Sequence, residues 1–402
     1  IVFFCVPGAT HAQSLLQAKQ AFQQGHYQQA IELWQSALAT KQKTYHRLEA
    51  YEGIAAAYRH LELPDKALLM LNTALPLVHQ IDDITPHALL LNEFTQLYLS
   101  QEQLEKAKQT AEKALSLARS TDNPIVLAKV LRQWGNLLSI KNDYKEALVA
   151  YTEAVALVNS NSSFSQKEIK ELYGKILIDQ AQTTFLFDLS NSYQYTEPKK
   201  AFHASINILK PALHQSENWP DAYGEAFALI TISQLAQEIQ KQINEPVTQL
   251  TRLAYQALNK AQKVAERIDN ALAKTYVYGY MGQLYEQTKR YQEAVVLTRR
   301  ALFWAQQLRN QLPLYHWWRQ LGRILKAQGA PKEAIEAYRP AVKNLNLNST
   351  REQLLSMGYK PTTFRNQIAP VYFELADLLL QQAVATPLAT QRDKLLREAR
   401  QT

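Results

Sequence analysis

Small and apolar residues recur along this chain with the spacing of one helical face. Within Gly25–Leu38, for example, Ala30, Trp34 and Ala37 are separated by four and then three residues, which places all three on one side of an α-helix. The same spacing returns about every 40 residues, apart from one longer interval. It therefore predicts a series of similar amphipathic helices, whose first small residues are Ala30, Ala67, Ala107, Ala147, Ala254, Ala294 and Ala334.

A second helical pattern precedes several of these copies. It reads large-x2-large-Gly-x2-large in Leu131–Leu138, Tyr278–Tyr285 and Trp318–Leu325, and Tyr51–Tyr58 has Ala55 in place of the glycine. A turn follows each stretch, so the repeating unit is helix–turn–helix, and the Gly or Ala is expected where two helices cross closely. One such pair cannot bury its apolar face alone, whereas stacked pairs bury it against each other.

These two patterns resemble the tetratricopeptide repeat (TPR), a helix–turn–helix unit of about 34 residues. The resemblance extends from about Ser14 to Asn346, and the copies here are mostly longer than the family's unit. It implies an all-α, right-handed helical solenoid. We expect an N-terminal TPR array over residues 13–160 and a second array over residues 221–346.

Between the arrays, the repeat phase is lost from Ala147 to Ala254, and we expect an irregular long helix pair over residues 161–220. After Asn346 the sequence changes again, and residues 347–402 are interpreted as a linker and helices that lead toward a missing C-terminal domain. This tail, above all Phe364–Ala383, resembles the segment that joins TPR arrays to CHAT domains, the caspase-like peptidase modules of bacterial proteins. The resemblance implies a peptidase domain beyond Thr402.

The N-terminal residues 1–12 have the pattern of a truncated secretory signal peptide. An apolar run, Ile1–Val6, is followed by Pro7–Gly8 and by a small residue at Ala12, after which cleavage is expected. The only cysteine, Cys5, lies inside this segment. We therefore expect an exported protein, periplasmic or extracellular, and a cytoplasmic location is the alternative. No other segment is long and apolar enough to predict a transmembrane helix.

Composition and motifs indicate binding rather than catalysis. The net charge of +8 is spread along the chain without a basic run, so solvated helix faces are favoured over a nucleic-acid surface. No Cys–His nucleophile pair is available after Cys5, no Gly-x-Ser-x-Gly motif occurs, and the nine histidines are scattered. We predict no catalytic residue, metal site or cofactor. The chain is interpreted as a scaffold that binds proteins or peptides; the alternatives are one part of a CHAT peptidase, or a cytoplasmic regulatory TPR module. The oligomeric state is left open.

The TPR resemblance implies that the first helix of each pair lines a binding groove. In Leu314–Gly329 the core is predicted from Trp318, Leu321, Gly322 and Leu325, and the polar residues of the opposite face are expected in the groove. Arginine and tyrosine there would suit an acidic or C-terminal peptide, although a polar groove face also serves solubility alone. The predicted groove residues are Tyr276, Tyr280, Gln283, His316, Arg319, Gln320 and Arg323, with Lys129, Arg132 and Asn136 as a second, weaker group.

Overall fold

The computed structural model describes residues 7–40, 43–160, 166–194, 197–216, 219, 222–243, 248–308, 312–345 and 369–402. Within these ranges all regular structure is helical and no strand occurs, which confirms the predicted all-α class. None of the helices in these ranges combines the length and the apolar character that a bilayer span requires. The chain divides into two compact units, Ile1–Leu253 (unit 1) and Ala254–Thr402 (unit 2). Cys5 and the apolar run Ile1–Val6 lie outside the described residues.

Unit 1 begins with four helix pairs and continues with longer, less regular helices. The pairs are α1 (Pro7–Gln23) with α2 (Tyr27–Leu38), α3 (Thr44–His60) with α4 (Pro64–Val78), α5 (Thr85–Ser100) with α6 (Leu104–Arg119), and α7 (Pro124–Ile140) with α8 (Tyr144–Asn159). The helices that follow are α9 (Gln166–Asn191), α10 (Pro198–Ala201), α11 (His203–Gln215) and α12 (Ala222–Ile243). The boundary between the units falls inside α13 (Thr248–Arg267).

Unit 2 contains three further pairs after α13. They are α14 (Ala271–Gln287) with α15 (Tyr291–Ala305), α16 (Leu312–Ala327) with α17 (Pro331–Leu345), and α18 (Ala369–Val384) with α19 (Ala389–Gln401). The stacked pairs of both units are those of a TPR-type helical solenoid, as the sequence predicts.

A left-handed residue ends the first helix of most pairs. After α5, for example, Glu102 has a φ of 56° and its N–H donates to Leu99 O at 3.1 Å, while the next N–H, of Gln103, donates to Tyr98 O at 2.9 Å. Together these bonds satisfy the last carbonyl groups of the helix and turn the chain into its partner. The same geometry recurs with the repeat, so each of these pairs has a similar turn between its two helices. The left-handed residues in these turns are Gly25, Glu62, Glu102, Asn142, Lys289 and Gly329.

Small residues lie where the two helices of a pair cross, as predicted. A Cβ atom added to Gly135 would lie 2.6 Å from the Tyr151 ring, and one added to Gly322 would lie 2.4 Å from the Tyr338 ring. The Ala55 copy instead shares its apolar cluster with a leucine, Leu71. The first small residues of all seven copies are at most 1% exposed, which confirms the phase of the repeat.

Consecutive first helices contact one another and form one layer, with α3 against α5, α5 against α7, and α7 against α9 in unit 1. We call the surface of this layer that faces away from the second helices the inner face. Helix α12 contacts α9 and α11, and also α1 at the start of the unit. Beside this contact the ring of Tyr223 meets that of Tyr27, the first residue of α2, edge-on at 5.5 Å, and His60 at the end of α3 stacks on Tyr27 at 4.6 Å. Helix α12 therefore lies across the inner face of unit 1.

Candidate functional site

A cavity of about 650 Å³ opens on the inner face of unit 1, between α3, α5, α7, α9 and α12. This volume falls within the range of pockets that take small or extended ligands. Its polar wall is rich in side-chain amides, which offer both donors and acceptors. Its apolar wall is formed by Leu99, Ile140, Phe185, Leu186 and Leu235, and Ile140 and Leu186 are exposed there.

Two arginines line this cavity with unused hydrogen-bond donors. Arg132 donates from Nε to Asp179 Oδ2 at 2.6 Å, and its two Nη groups make no hydrogen bond to any described residue. Arg59 lies 3.7 Å from Glu93 Oε2, beyond hydrogen-bond distance, and makes no hydrogen bond within the described part of the chain. The amide of Gln182 is likewise without a partner among the described side chains. These groups can therefore bind a ligand without first breaking a protein hydrogen bond.

The weaker group of predicted residues partly coincides with this cavity. Arg132 and Asn136 line it, and the Asn136 amide lies 2.7 Å from Tyr151 Oη on the cavity wall. Burial, followed by the charge of Asp179, raises the pKa of Tyr151, so its hydroxyl stays neutral. Lys129 is exposed on the same helix and does not line the cavity.

The two arginines of the main predicted patch, in unit 2, already hold carboxylates. Arg319 donates from Nε and Nη2 to the two carboxylate oxygens of Glu374 on α18, at 2.9 and 2.5 Å. Arg323 holds Glu286 on α14 in the same way, at 3.1 and 3.0 Å. Burial acts to raise the pKa of Glu374, but the hydrogen bond and charge of Arg319 outweigh it and lower the pKa overall. An acidic ligand here would have to displace a carboxylate of the protein.

Gln320 does not lie where the sequence pattern predicts. It is 0% exposed, and its Nε2 donates to Gly279 O and to Thr298 Oγ1, both at 2.9 Å. Helix α16 packs against α14, α15 and α17, so the buried part of its surface is wider than the single apolar stripe seen in the sequence. That part includes Trp317, which is 1% exposed, while the predicted core residue Trp318 is only partly buried.

The remaining predicted residues of unit 2 form an aromatic cluster around Trp317. Tyr276 and Tyr280 stack on each other with ring centroids 6.2 Å apart, and both meet the Trp317 ring edge-on. His316 contacts the same ring at 4.5 Å. Burial and then the charge of Arg323 lower the pKa of His316 to about 4, so it is neutral at pH 7. Gln283 is partly exposed on α14. The peptide-binding role of all these residues stays a prediction.

Several cavity residues were not predicted. Gln96 lies one repeat before the predicted residue Asn136, so the spacing of the repeat could have predicted that Gln96 lines the cavity. Arg59 likewise precedes Ser139, another cavity residue, by two repeats. Asp179 on α9 and Leu235 on α12 belong to the irregular part of unit 1, where no repeat phase indicates which residues face the cavity.

Comparisons with known proteins agree with this fold. The tetratricopeptide repeat model matches residues 96–121. Among solved structures, a Signal Transduction ATPase with Numerous Domains from Pyrococcus horikoshii, which has a tetratricopeptide repeat sensor, is 11% identical to this chain with a TM-score of 0.57. The match covers 94% of this chain and 52% of the ATPase, so this chain spans about half the length of that protein. The apo form of RapI is 12% identical with a TM-score of 0.51, and the match covers 98% of each chain. No curated protein matches the sequence. At these identities the likeness shows the fold alone.

Proposed function

We propose that this chain is a non-catalytic scaffold that binds a peptide or an extended protein segment in the cavity on the inner face of unit 1. The observation that carries the proposal is the set of unused donors on Arg59, Arg132 and Gln182 inside one cavity. Arg59 and Arg132 are mostly buried, and polar groups in such surroundings normally find partners within the protein, whereas Gln182 adds an exposed amide to the cavity lining. Donors that remain open in a cavity therefore favour a ligand that supplies the acceptors.

The chemistry of the walls favours a peptide over a polyanion. Peptide backbone needs donors and acceptors in alternation, which side-chain amides such as Gln96 and Gln133 provide. The positive charges of Arg59 and Arg132 are balanced by Asp179 and by the neighbouring Glu93, so the cavity has no strong excess of positive charge to attract nucleic acid. The aliphatic wall adds a place for an apolar side chain.

The preference for acidic peptides that the sequence suggests is proposed for unit 1 rather than unit 2. In unit 2 both arginine forks are occupied by Glu374 and Glu286, whereas the Nη groups of Arg132 are open. A carboxylate or a carbonyl oxygen of the ligand would accept hydrogen bonds from Arg132 at no cost to an existing bidentate pair.

Binding of immobilised pools of random heptapeptides tests this proposal. We expect the wild-type chain to bind some pools, and the Arg59→Ala, Gln182→Ala double variant to bind them about tenfold more weakly. The matched control is Arg119→Ala, because Arg119 is an exposed arginine on the second helix α6, away from the cavity. A folded double variant that retains full binding would refute the proposal.

The cellular context is also a proposal, and it is supported by sequence pattern alone. We propose export with cleavage after Ala12, and a role as the binding region of a TPR–CHAT protein. Residues 1–6 and 346–368, on which much of this argument depends, lie outside the described residues. N-terminal sequencing of the secreted protein tests the first part, since it should begin at Gln13; a protein retained in the cytoplasm with Ile1–Ala12 intact would contradict it.

A further inference from the structure

The lining of the cavity in unit 1 changes character along the helices that form it. Helix α7 contributes residues 132, 133, 136, 139 and 140, and α9 contributes residues 179, 182, 183, 185 and 186. These spacings form a stripe about two turns long on one face of each helix. Each stripe begins with a charged residue, Arg132 or Asp179, continues with amides and hydroxyls, and ends with an aliphatic residue, Ile140 or Leu186.

The two stripes run in the same direction. Arg132 Nε donates to Asp179 Oδ2 at 2.6 Å, and further along both helices Thr183 Oγ1 donates to Ser139 Oγ at 2.9 Å. The charged starts of the stripes are therefore side by side, and their aliphatic ends share the opposite side of the cavity. The cavity thus has a charged end and an apolar end.

The apolar end presents aliphatic surface that nothing in the described part of the chain covers. Leu99 on α5 precedes Ser139 by one repeat and so lies at this end, and Leu235 on α12 adds to the same lining. Ile140 is 50% exposed and Leu186 is 38% exposed, although both face a cavity. Because covering such surface with an apolar group removes it from water, this end suits an aliphatic side chain of the ligand.

The two ends are separated by about the length of three extended residues. Leu186 follows Asp179 by seven residues, and a helix rises about 1.5 Å per residue, so the two positions are about 10 Å apart along α9. The hydrogen bond to Asp179 holds the Arg132 guanidinium at the charged end, and the Nη groups of Arg132 are open there. An extended peptide advances about 3.3 Å per residue, so three residues cover this distance.

We propose that the cavity selects a peptide in which an acidic residue and an aliphatic residue are three positions apart. This inference rests on the proposed function, because the peptide is the one that occupies the inner face of unit 1. Its carboxylate accepts hydrogen bonds from the Nη groups of Arg132, and its aliphatic side chain packs on Ile140 and Leu186. A carboxylate directly beside the aliphatic residue would instead meet Arg59, which lies two repeats before Ser139 and is opposed by Glu93 at 3.7 Å.

Heptapeptide pools with two fixed positions test the spacing by fluorescence polarisation with the full chain. Asp and Leu are placed three positions apart, in either order along the peptide. We expect one of these two pools to bind about tenfold more tightly than the same pool with Ser in place of Leu, and than a pool in which Asp and Leu are adjacent. Equal binding of the Leu and Ser pools, or of the spaced and adjacent pools, would overturn the proposal.

Variants at the two ends should separate the two preferences. Leu186→Asn should remove the preference for Leu over Ser and keep that for Asp over Asn, whereas Arg132→Gln should do the reverse. The matched control is Val149→Asn, which replaces a 68% exposed aliphatic residue of the second helix α8 and should keep both preferences. The melting temperature shows whether each variant is folded, and Ile140→Asn repeats the test at the apolar end. Loss of both preferences in a folded Leu186→Asn variant would contradict a cavity with two distinct ends.

The same pools distinguish a failure of this inference from a failure of the proposed function. If the pools bind and the Arg59→Ala, Gln182→Ala variant weakens them, but neither the fixed residues nor their spacing matters, the motif is wrong and the proposed function stands. If no pool binds, both are wrong.

Discussion

The contact of Gly135 with Tyr151 offers a sharp test of how the two helices of a pair are matched. A Cβ atom on Gly135 would lie 2.6, 2.8 and 2.9 Å from three atoms of the Tyr151 ring, about 1 Å inside a normal carbon–carbon contact. The ring is 1% exposed and packs in the apolar cluster of α7 and α8, so a shift of the ring would disturb its other contacts. Overpacking of this kind costs roughly 1–3 kcal/mol, and the better helix propensity of Ala returns about 1 kcal/mol. We therefore expect Gly135→Ala to lose up to about 2 kcal/mol of unfolding free energy.

The second pair of unit 1 shows how the loss can be reversed. There Ala55 and Leu71 occupy the positions of Gly135 and Tyr151. Tyr151→Leu alone removes ring volume and the hydrogen bond to Asn136, and we expect a cost of roughly 2–4 kcal/mol. In that background Gly135→Ala should be neutral or stabilising, so the coupling energy between the two substitutions should be roughly 1–3 kcal/mol.

Urea unfolding followed by circular dichroism at 222 nm measures all four members of this cycle. Tyr151→Phe is the matched control, because it keeps the ring and removes only the hydroxyl group, so Gly135→Ala should remain costly beside it. Equal losses for Gly135→Ala in the tyrosine and leucine backgrounds would show that the ring is not what limits the size of residue 135.

Three further outcomes follow from the structure. Glu102→Gly should raise the melting temperature, with a gain of about 0.5–1 kcal/mol, because a φ of 56° strains any residue with a Cβ atom. Gly329 has a φ of 76°, so Gly329→Ala should lower the melting temperature for the same reason. Arg319→Ala should cost roughly 1–3 kcal/mol in urea unfolding, because it removes both hydrogen bonds of the arginine fork and leaves Glu374 with Tyr338 alone. Glu374→Ala in the same chain should recover part of this loss, and additive losses would contradict the pairing. The pKa of Glu52 is raised to about 8 in the folded chain, so between about pH 4.5 and 8 the native state binds a proton that the unfolded state has lost. The free energy of unfolding should therefore fall with rising pH across that window, by at most about 1.4 kcal/mol per pH unit. Glu52→Gln should flatten this part of the curve of stability against pH.

The helix pairs were predictable from sequence because the pattern that defines them is local. Ala147 and Tyr151 belong to one helix and Gly135 to the preceding one, so spacing alone indicated which faces meet. The same reasoning failed for Gln320, since the buried arc of a helix depends on how many neighbours it has. A single stripe of apolar residues identifies one neighbour, and α16 packs against several.

The cavity and the ion pairs were not predictable for a different reason. The partner of Arg132 is Asp179 on the irregular helix α9, and the partner of Arg319 is Glu374, which follows the long interval after α17. Neither acid has a position fixed by the repeat. The sequence therefore identified Arg132, Arg319 and Arg323 as groove candidates and missed Arg59. It did not indicate that the arginines of unit 2 are neutralised while the donors of Arg132 remain open.

The aromatic contact between α12 and the first helix pair bears on how unit 1 folds. An array in which each repeat touches only its neighbours can begin to fold anywhere and grow in either direction. The contact of Tyr223 with Tyr27 joins residues almost 200 positions apart in sequence, and contacts of such long range form slowly because the entropy of closing the intervening chain is lost first. The helix pairs of unit 1 therefore form early, and the closing contact defines a late, cooperative step that couples the two ends of the unit.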